Sequence, residues 1–212
     1  MSSQLNVALI NYGMGNLRSV SKAIENNGDK IFWVQSARGL KNKDILVLPG
    51  VGAFGQAVLN LKKLNLLEPI VEWIKEKKPF LGICLGYQLL FEASEENKGN
   101  ARGLGIFKGT VKGFPKIKNL RIPHMGWNQL NLNKRAALYT ALPKNPYFYF
   151  VHSYFPVPED KTIISAECNY GINFAASIQK ENLFACQFHP EKSSCNGLTL
   201  IKNIFNIYRK SK

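Results

Sequence analysis

Residues 80–88 read FLGICLGYQ, and this stretch indicates how the chain folds. An apolar run, predicted to be a short buried strand, ends at Cys84, and a helix is predicted to begin there and continue through Phe91. Gly82 and Gly86 flank the cysteine where the backbone turns sharply. This pattern is typical of a nucleophile elbow, which holds the nucleophile in a strained conformation. A small buried cysteine in a tight turn is the alternative interpretation.

The helix predicted after Cys84 would serve a thiol nucleophile in two ways. Its positive end favours a thiolate over a thiol. Its first backbone N–H groups have no partner inside the helix, so they can bind an oxyanion as it forms. The local sequence therefore indicates nucleophilic chemistry at Cys84, provided that a base lies nearby.

A candidate base lies far downstream, where another apolar strand ends at His189. Imidazole can take the thiol proton near neutral pH and return one to the leaving amine, if a carboxylate fixes its tautomer and stabilises the imidazolium. Glu191 follows two positions later, and a turn at Pro190 can bring its carboxylate back to the ring. A histidine after a strand is more often structural. A cysteine elbow and a strand-end His-Pro-Glu sequence in one chain nevertheless favour a catalytic triad of Cys84, His189 and Glu191.

Strands and helices alternate through the first half of the chain, which predicts an α/β fold with a mainly parallel sheet and helices on both faces. The second half contains further strand-like runs and ends in a helix. We find no repeat, linker or low-complexity segment, so residues 1–212 are predicted to form one domain. The predicted strands are residues 5–10, 31–34, 44–48, 80–83, 106–114, 147–154, 162–167, 174–179 and 183–188, with a hairpin turn at 169–171; the other predicted helices are 17–24, 54–78 with a break near Pro69, and 197–208.

The composition excludes several classes of protein. A hydrophobic fraction of 45% is that of a globular chain with a core, and no apolar run approaches the length of a membrane span. The first five residues contain no basic segment like that of a signal peptide, so a cytoplasmic location is expected. The four cysteines and three histidines show no metal-ligand spacing, so no metal, disulfide framework or cofactor is predicted. It stays open that one cysteine is a nucleophile while the others are small buried residues.

The net charge of +14 is the unusual property of the composition. A basic surface can bind nucleic acid, an anionic substrate or an acidic partner protein. The lysines are scattered and are not interleaved with aromatic residues as in a nucleic-acid module, so no nucleic-acid partner is predicted. A lysine-rich solvated surface and an acidic partner face are the interpretations that stay open.

The motifs GICLGYQ and QFHPE together resemble the class I, triad-type glutamine amidotransferases. Motifs along nearly the whole chain are similar, more narrowly, to the glutaminase subunits of imidazole glycerol phosphate synthase. PHMGWN and the lysine after HPE are the most specific to that branch. The resemblance implies a flavodoxin-like sheet with added antiparallel strands in the C-terminal half. The motifs lie, in order, at residues 12–20, 49–54, 103–106, 123–128, 150–154 and 189–193.

The resemblance also implies a mechanism. Cys84 attacks the side-chain carboxamide of glutamine and forms a thioester. His189 protonates the departing ammonia and then activates water against the thioester, while Glu191 orients His189.

Other positions match the oxyanion hole and the glutamine site of the family. The oxyanion is held by the backbone N–H of Leu85 and by that of Val51 or Gly52, in a loop that this branch holds flipped until the partner signals. Three of the glutamine-site positions also have plain structural interpretations: Gln88 as a helix residue, Glu96 as a member of a solvated acidic run and Tyr154 as a core residue. The positions that match the glutamine site are Gln88, Glu96, His152 and Tyr154.

Ammonia is a nucleophile only while it escapes protonation by bulk water, so a glutaminase without a synthase domain implies a docked partner with a sealed passage. The resemblance implies that this partner is the (β/α)8-barrel cyclase subunit of a heterodimer. There ammonia converts a ribonucleotide precursor to imidazole glycerol phosphate and AICAR in histidine biosynthesis. The positions that match the cyclase interface are Asn16, His124, Trp127 and Lys192.

Two other functions stay open on the sequence. A paralogous glutaminase would use the same triad and loop to supply a cyclase-like partner in surface-sugar amidation. Rescue of a histidine auxotroph or the gene neighbourhood would separate it from the histidine-pathway subunit. A non-enzymatic module on the same fold is suggested by the charge alone, and an intact Cys-His-Glu set weighs against it.

Overall fold

The computed structural model describes residues 4–96, 101–132 and 137–210. The strands in these ranges are β1 Asn6–Ile10, β2 Lys30–Val34, β3 Ile45–Leu48, β4 Phe80–Ile83, β5 Phe91–Ser94, β6 Phe107–Gly113, β7 His124–Leu132, β8 Tyr147–His152, β9 Tyr154–Pro158, β10 Ile164–Asn169, β11 Asn173–Lys180 and β12 Leu183–Cys186. The α-helices are α1 Leu17–Glu25, α2 Phe54–Lys63, α3 Leu67–Lys75, α4 Leu85–Gln88 and α5 Ser194–Lys210.

A nine-stranded sheet in the order β2-β1-β3-β4-β12-β11-β10-β7-β8 carries most of these elements. The pairs from β2 to β12 are parallel, and the pairs from β12 to β8 are antiparallel. A smaller sheet has the order β5-β6-β9. The predicted sheet, parallel in the first half of the chain with antiparallel strands added from the second, is confirmed.

The alternation of side chains along β1 shows how the large sheet supports two hydrophobic cores. Val7 and Leu9 belong to one core, and Ala8 and Ile10 belong to the other. The first core includes the apolar faces of α1 and α5, and the second includes those of α2 and α3. Helices therefore cover both faces, as predicted.

The helix predicted from Cys84 through Phe91 is wrong in length. Only α4, a single turn, is helical, and β5 already begins at Phe91. The carbonyl oxygen of Leu89 accepts a hydrogen bond from the backbone N–H of Leu104, and that of Leu90 accepts one from Ile106. These long-range partners replace the hydrogen bonds that would continue the helix, so tertiary contacts override the local pattern.

Strand β7 is not among the predicted strands, and its polar, glycine-containing sequence explains why. It forms because β8 pairs with it on one side and β10 on the other. The predicted strand at residues 147–154 is two strands, because the chain leaves the large sheet at Ser153 and continues as β9 in the small one. The hairpin turn at residues 169–171 is confirmed between β10 and β11.

Within the described ranges, no helix combines the length and the apolar character that crossing a bilayer requires. In the same ranges, no group of three or more His, Cys, Asp or Glu residues is arranged to hold a metal ion.

Candidate active site

Cys84 occupies a strained turn at the carboxyl end of β4. Its φ of 53° and ψ of −104° are unusual for a residue with a side chain. A Cβ atom at Gly86 would lie 1.8 Å from the carbonyl oxygen of Leu48, so only glycine permits this close approach of the backbones. The predicted elbow is therefore present, although the single turn of α4 provides less helix dipole than the sequence suggested.

His189 and Glu191 form a buried hydrogen-bonded pair beside this turn. Parallel pairing places Cys186 of β12 next to Ile83 of β4, so the chain leaves both strands at the same edge of the sheet. A 3₁₀ turn at Pro190–Lys192 brings the Glu191 carboxylate back to the ring, with 2.8 Å between Nδ1 and Oε1. The side chains are only 3% and 2% exposed, which strengthens their interaction.

The electrostatics of His189 couple it to Cys84. Burial lowers the pKa of His189, but the charge of nearby Cys84, together with the hydrogen bond to Glu191 and the charge of that carboxylate, outweighs it and raises the pKa to about 10. Because Glu191 engages Nδ1, Nε2 is the nitrogen available to the thiol. Nε2 makes no hydrogen bond of good geometry with any described residue. Contacts between catalytic groups are often loose before substrate binds.

The other three cysteines lack this environment. Burial raises the pKa of Cys168 to about 12 and that of Cys186 well above its usual range, so both are neutral buried side chains. Cys195 is exposed, so the possibility that all three are buried holds only for Cys168 and Cys186.

Cys84 opens onto a cavity of about 430 Å³. The predicted oxyanion and glutamine-binding residues all line it, so the fold brings together segments that are far apart in sequence. The lining includes Val51, Gly52, Cys84, Leu85, Gln88, Glu96, His152 and Tyr154.

A family model described as glutamine amidotransferase class-I matches residues 8–207. The chain belongs to this family. The imidazole glycerol phosphate synthase subunit HisH of Aquifex aeolicus (strain VF5) is 50% identical over 200 residues, which cover 94% of this chain and 95% of that protein. The protein of the same name from Geobacter sulfurreducens is 44% identical over 202 residues, which cover 93% of this chain and 96% of that protein.

Solved structures share the fold at lower identity. The structure of PurLQS from Thermotoga maritima superposes with a TM-score of 0.71 at 18% identity, covering 97% of this chain and 99% of that one. A glutamine amidotransferase from Thermotoga maritima superposes with a TM-score of 0.66 at 16% identity. The match covers 99% of this chain and 86% of that one. The class I glutamine amidotransferase fold predicted from the motifs is confirmed.

The loop that carries the predicted oxyanion donors Val51 and Gly52 is hydrogen-bonded to the start of α4. The backbone N–H of Leu85, a predicted oxyanion donor, donates to the carbonyl oxygen of Gly50 at 3.2 Å. Gly52 has a φ of +104°, which few other residues adopt. In this conformation the Leu85 donor is occupied and faces the loop.

Glu96 is anchored at the start of α2, where its Oε2 accepts a hydrogen bond from the backbone N–H of Phe54 at 2.5 Å. Glu92 and Glu95 also accept hydrogen bonds from backbone N–H groups, those of Gly109 and Gly113. These carboxylates are therefore not simply a solvated acidic run, and among the three Glu96 lines the cavity.

Gln187 is a site residue that the sequence interpretation missed. Its Nε2 lies 3.5 Å from Sγ of Cys84, and its Oε1 accepts a hydrogen bond from Nε2 of Gln88 at 3.1 Å. The signal was present in the motif QFHPE. Residues two positions apart in an extended segment point to the same side, so Gln187 accompanies His189.

His152 and His124 form a second hydrogen-bonded chain. Nδ1 of His152 lies 2.9 Å from the carbonyl oxygen of Tyr154, and Nε2 lies 3.0 Å from Nδ1 of His124. Burial lowers the pKa of His152 to about 3 and that of His124 to about 4, so both rings are neutral. Because a carbonyl can only accept, His152 carries its proton on Nδ1 and accepts from His124.

The predicted interface residues fall into two groups. Trp127 is 52% exposed, and Asn16 and Lys192 are also exposed. Asn16 is the N-cap of α1, where its side chain accepts a hydrogen bond from the backbone N–H of Ser19. His124 is only 2% exposed, because it stacks between aromatic rings, so its side chain is not available to a partner. The interface role of the segment around His124 stays a prediction.

Proposed function

We infer that this chain is the glutaminase subunit of imidazole glycerol phosphate synthase. It hydrolyses glutamine to glutamate and ammonia and supplies the ammonia to the cyclase subunit, which forms imidazole glycerol phosphate and AICAR in histidine biosynthesis. Identity of 50% over nearly the full length of the Aquifex aeolicus protein supports the assignment. The observation that carries the chemistry is the buried His189–Glu191 pair beside Cys84 in its strained turn.

The proposed reaction has two steps. The Cys84 thiolate attacks the carboxamide carbon, and the C–N bond breaks as the His189 imidazolium protonates the leaving nitrogen, which gives a thioester and ammonia. Neutral His189 then takes a proton from water, which attacks the thioester and releases glutamate. Glu191 holds the ring through Nδ1 and stabilises its charged form.

The cavity residues have matching roles in this proposal. Gln88 and Glu96 bind the glutamine, the Glu96 carboxylate suiting the α-amino group, and His152 and Tyr154 border the same site. Rotation of the peptide between Gly50 and Val51 would release the Leu85 N–H and direct the Val51 N–H toward the oxyanion. Docking of the cyclase drives this change in our proposal, so ammonia forms only when a receiver is present.

The partner contacts are proposed at the exposed Asn16, Trp127 and Lys192. The turn containing Lys192 packs against α1 and β8, and β8 pairs with β7, so these residues share one edge of the molecule. The net charge of +14 supports an acidic face on the cyclase, and this complementarity predicts weaker binding at high salt. The organisation of residues 1–212 as one domain stays a prediction, as does the cytoplasm as the compartment in which the complex works.

The test is a glutaminase and ammonia-transfer assay of the chain with the cyclase encoded nearest to its gene. We expect glutamate formation and glutamine-dependent imidazole glycerol phosphate formation, both lost in Cys84→Ala. Rescue of a histidine auxotroph separates this function from surface-sugar amidation. Glutamate formation at the wild-type rate by Cys84→Ala would remove Cys84 from the mechanism.

A further inference from the structure

We propose that Gln187 is a positioning residue that donates a hydrogen bond to the sulfur of Cys84 and stabilises its thiolate. The proposal rests on the proposed glutaminase function and deepens it. Gln187 is 0% exposed, and its Nε2 is 3.5 Å from Sγ, within the range of a hydrogen bond to sulfur. It precedes His189 by two positions, so the segment that carries the base also carries a donor to the nucleophile.

The direction of this hydrogen bond follows from a single backbone carbonyl. The oxygen of Tyr154 can only accept, and Nε2 of Gln88 donates to it at 2.9 Å, which fixes the orientation of the Gln88 amide. The second N–H of Gln88 then meets Oε1 of Gln187 at 3.1 Å. The NH₂ group of Gln187 is therefore the end that faces the sulfur.

A donor in this position favours the charged form of the nucleophile. Hydrogen bonds to an ionised group stabilise it over its neutral form, and the effect is larger where water is excluded. The same chain of hydrogen bonds organises the cavity, because the two side-chain N–H groups of Gln88 donate to the carbonyl oxygen of Tyr154 and to Oε1 of Gln187. Oε1 of Gln88 is then the amide atom left to accept a hydrogen bond from glutamine. Gln187 thus connects the residue that binds the substrate with the residue that attacks it.

Two substitutions separate these roles. Gln187→Met has a similar length and removes both the donor to sulfur and the acceptor for Gln88. Gln187→Glu has the same shape, keeps an acceptor for Gln88 and places a carboxylate beside the sulfur. Ser177→Ala is the matched control, because Ser177 is a fully buried polar residue of the neighbouring strand that bonds Tyr139 and Ser165 instead.

The first readout is the rate at which iodoacetamide alkylates Cys84 as a function of pH, in full-length chains carrying Cys195→Ser because Cys195 is exposed. We expect the pH of half-maximal alkylation to rise by about one unit in Gln187→Met and to rise further in Gln187→Glu. Ser177→Ala should keep the wild-type profile even where it lowers the melting temperature.

Steady-state kinetics in the complex with the cyclase provide the second readout. Gln187→Glu should lower kcat about tenfold with little change in the KM for glutamine, whereas Gln187→Met should also raise KM. Wild-type pH profiles in both variants would overturn the role of Gln187 while leaving the glutaminase assignment intact. Failure of the wild-type complex to hydrolyse glutamine would instead overturn the proposed function.

Discussion

The backbone N–H of Leu85 donates to the carbonyl oxygen of Gly50 at 3.2 Å, and this contact joins the turn after the nucleophile to the loop after β3. A donor held in this way cannot stabilise an oxyanion at the same time. The cavity is formed, but this predicted oxyanion donor is not available to it. Under the proposed function, activation therefore requires movement of the loop.

The isolated chain should therefore hydrolyse glutamine slowly, and the cyclase should accelerate it. Loss of one oxyanion donor costs roughly 10²–10³ in kcat, so we expect stimulation of at least about 100-fold. Glutamate formation should be measured with and without the cyclase and its ligand, with Cys84→Ala in the complex as the blank. High activity of the chain alone, unchanged by the partner, would contradict this requirement for loop movement.

Glu191→Gln should lower kcat by about 10²–10⁴ and shift the pH profile of kcat/KM. The pKa of His189 is raised to about 10, so the imidazolium that protonates ammonia persists up to that pH. Glu191 supplies part of this rise beside the charge of Cys84, so removing the carboxylate lowers the pKa, and the alkaline limb of the kcat/KM profile, which reports the free enzyme, should move to lower pH. The measurement is kcat/KM from about pH 6 to about pH 10.5 in the complex, a window that spans the ordinary and the raised pKa of a histidine.

Glu181→Gln is the control for that profile, because Glu181 forms an exposed ion pair with Lys77 away from the cavity. Its profile should match the wild type. An alkaline limb that stayed in place in Glu191→Gln would show that Glu191 does not support the charge of His189.

Gly86→Ala should destabilise the fold by roughly 3 kcal/mol or more, because its Cβ would lie 1.8 Å from the backbone oxygen of Leu48. Gly113→Ala is the comparison, since its nearest neighbour is a Tyr154 side-chain atom at 3.4 Å, and we expect a change within about 1 kcal/mol. Urea unfolding gives both values. Equal stability of the two variants would mean that the turn at Cys84 is not tightly packed.

Trp127→Ala should weaken binding to the cyclase by about 30-fold, because tryptophans at the centre of interfaces often contribute about 2 kcal/mol or more. Trp33→Ala is the matched control, since Trp33 is 50% exposed on β2, at the edge of the large sheet that lies far from β7. Calorimetric titration of each variant with the cyclase tests the difference. Equal affinities would place the interface elsewhere.

The local sequence was sufficient to predict the parallel half of the sheet. Strands β1, β3 and β4 are continuous apolar runs bounded by turns, and the elbow at Cys84 follows from glycines two positions away on each side. The His189–Glu191 pair was equally predictable, because the proline turn that joins them is local. These features depend on residues near each other in the chain.

Features that depend on distant partners could not be predicted from the sequence. The helix after Cys84 stops after one turn because the segment around Leu104 binds its carbonyl groups, and β7 is a strand because β8 and β10 pair with it. The burial of His124 among aromatic rings was not apparent from its local sequence either.

The amino-acid pattern alone thus specified the turn at Cys84, the His189–Glu191 pair and the layered sheet, since each is encoded by short-range spacing and periodicity. The distance between Gln187 and Cys84, the occupied N–H of Leu85 and the burial of His124 were decided by tertiary structure. Each is a hydrogen bond or packing contact between segments far apart in sequence, and its geometry exists only once the strands have paired.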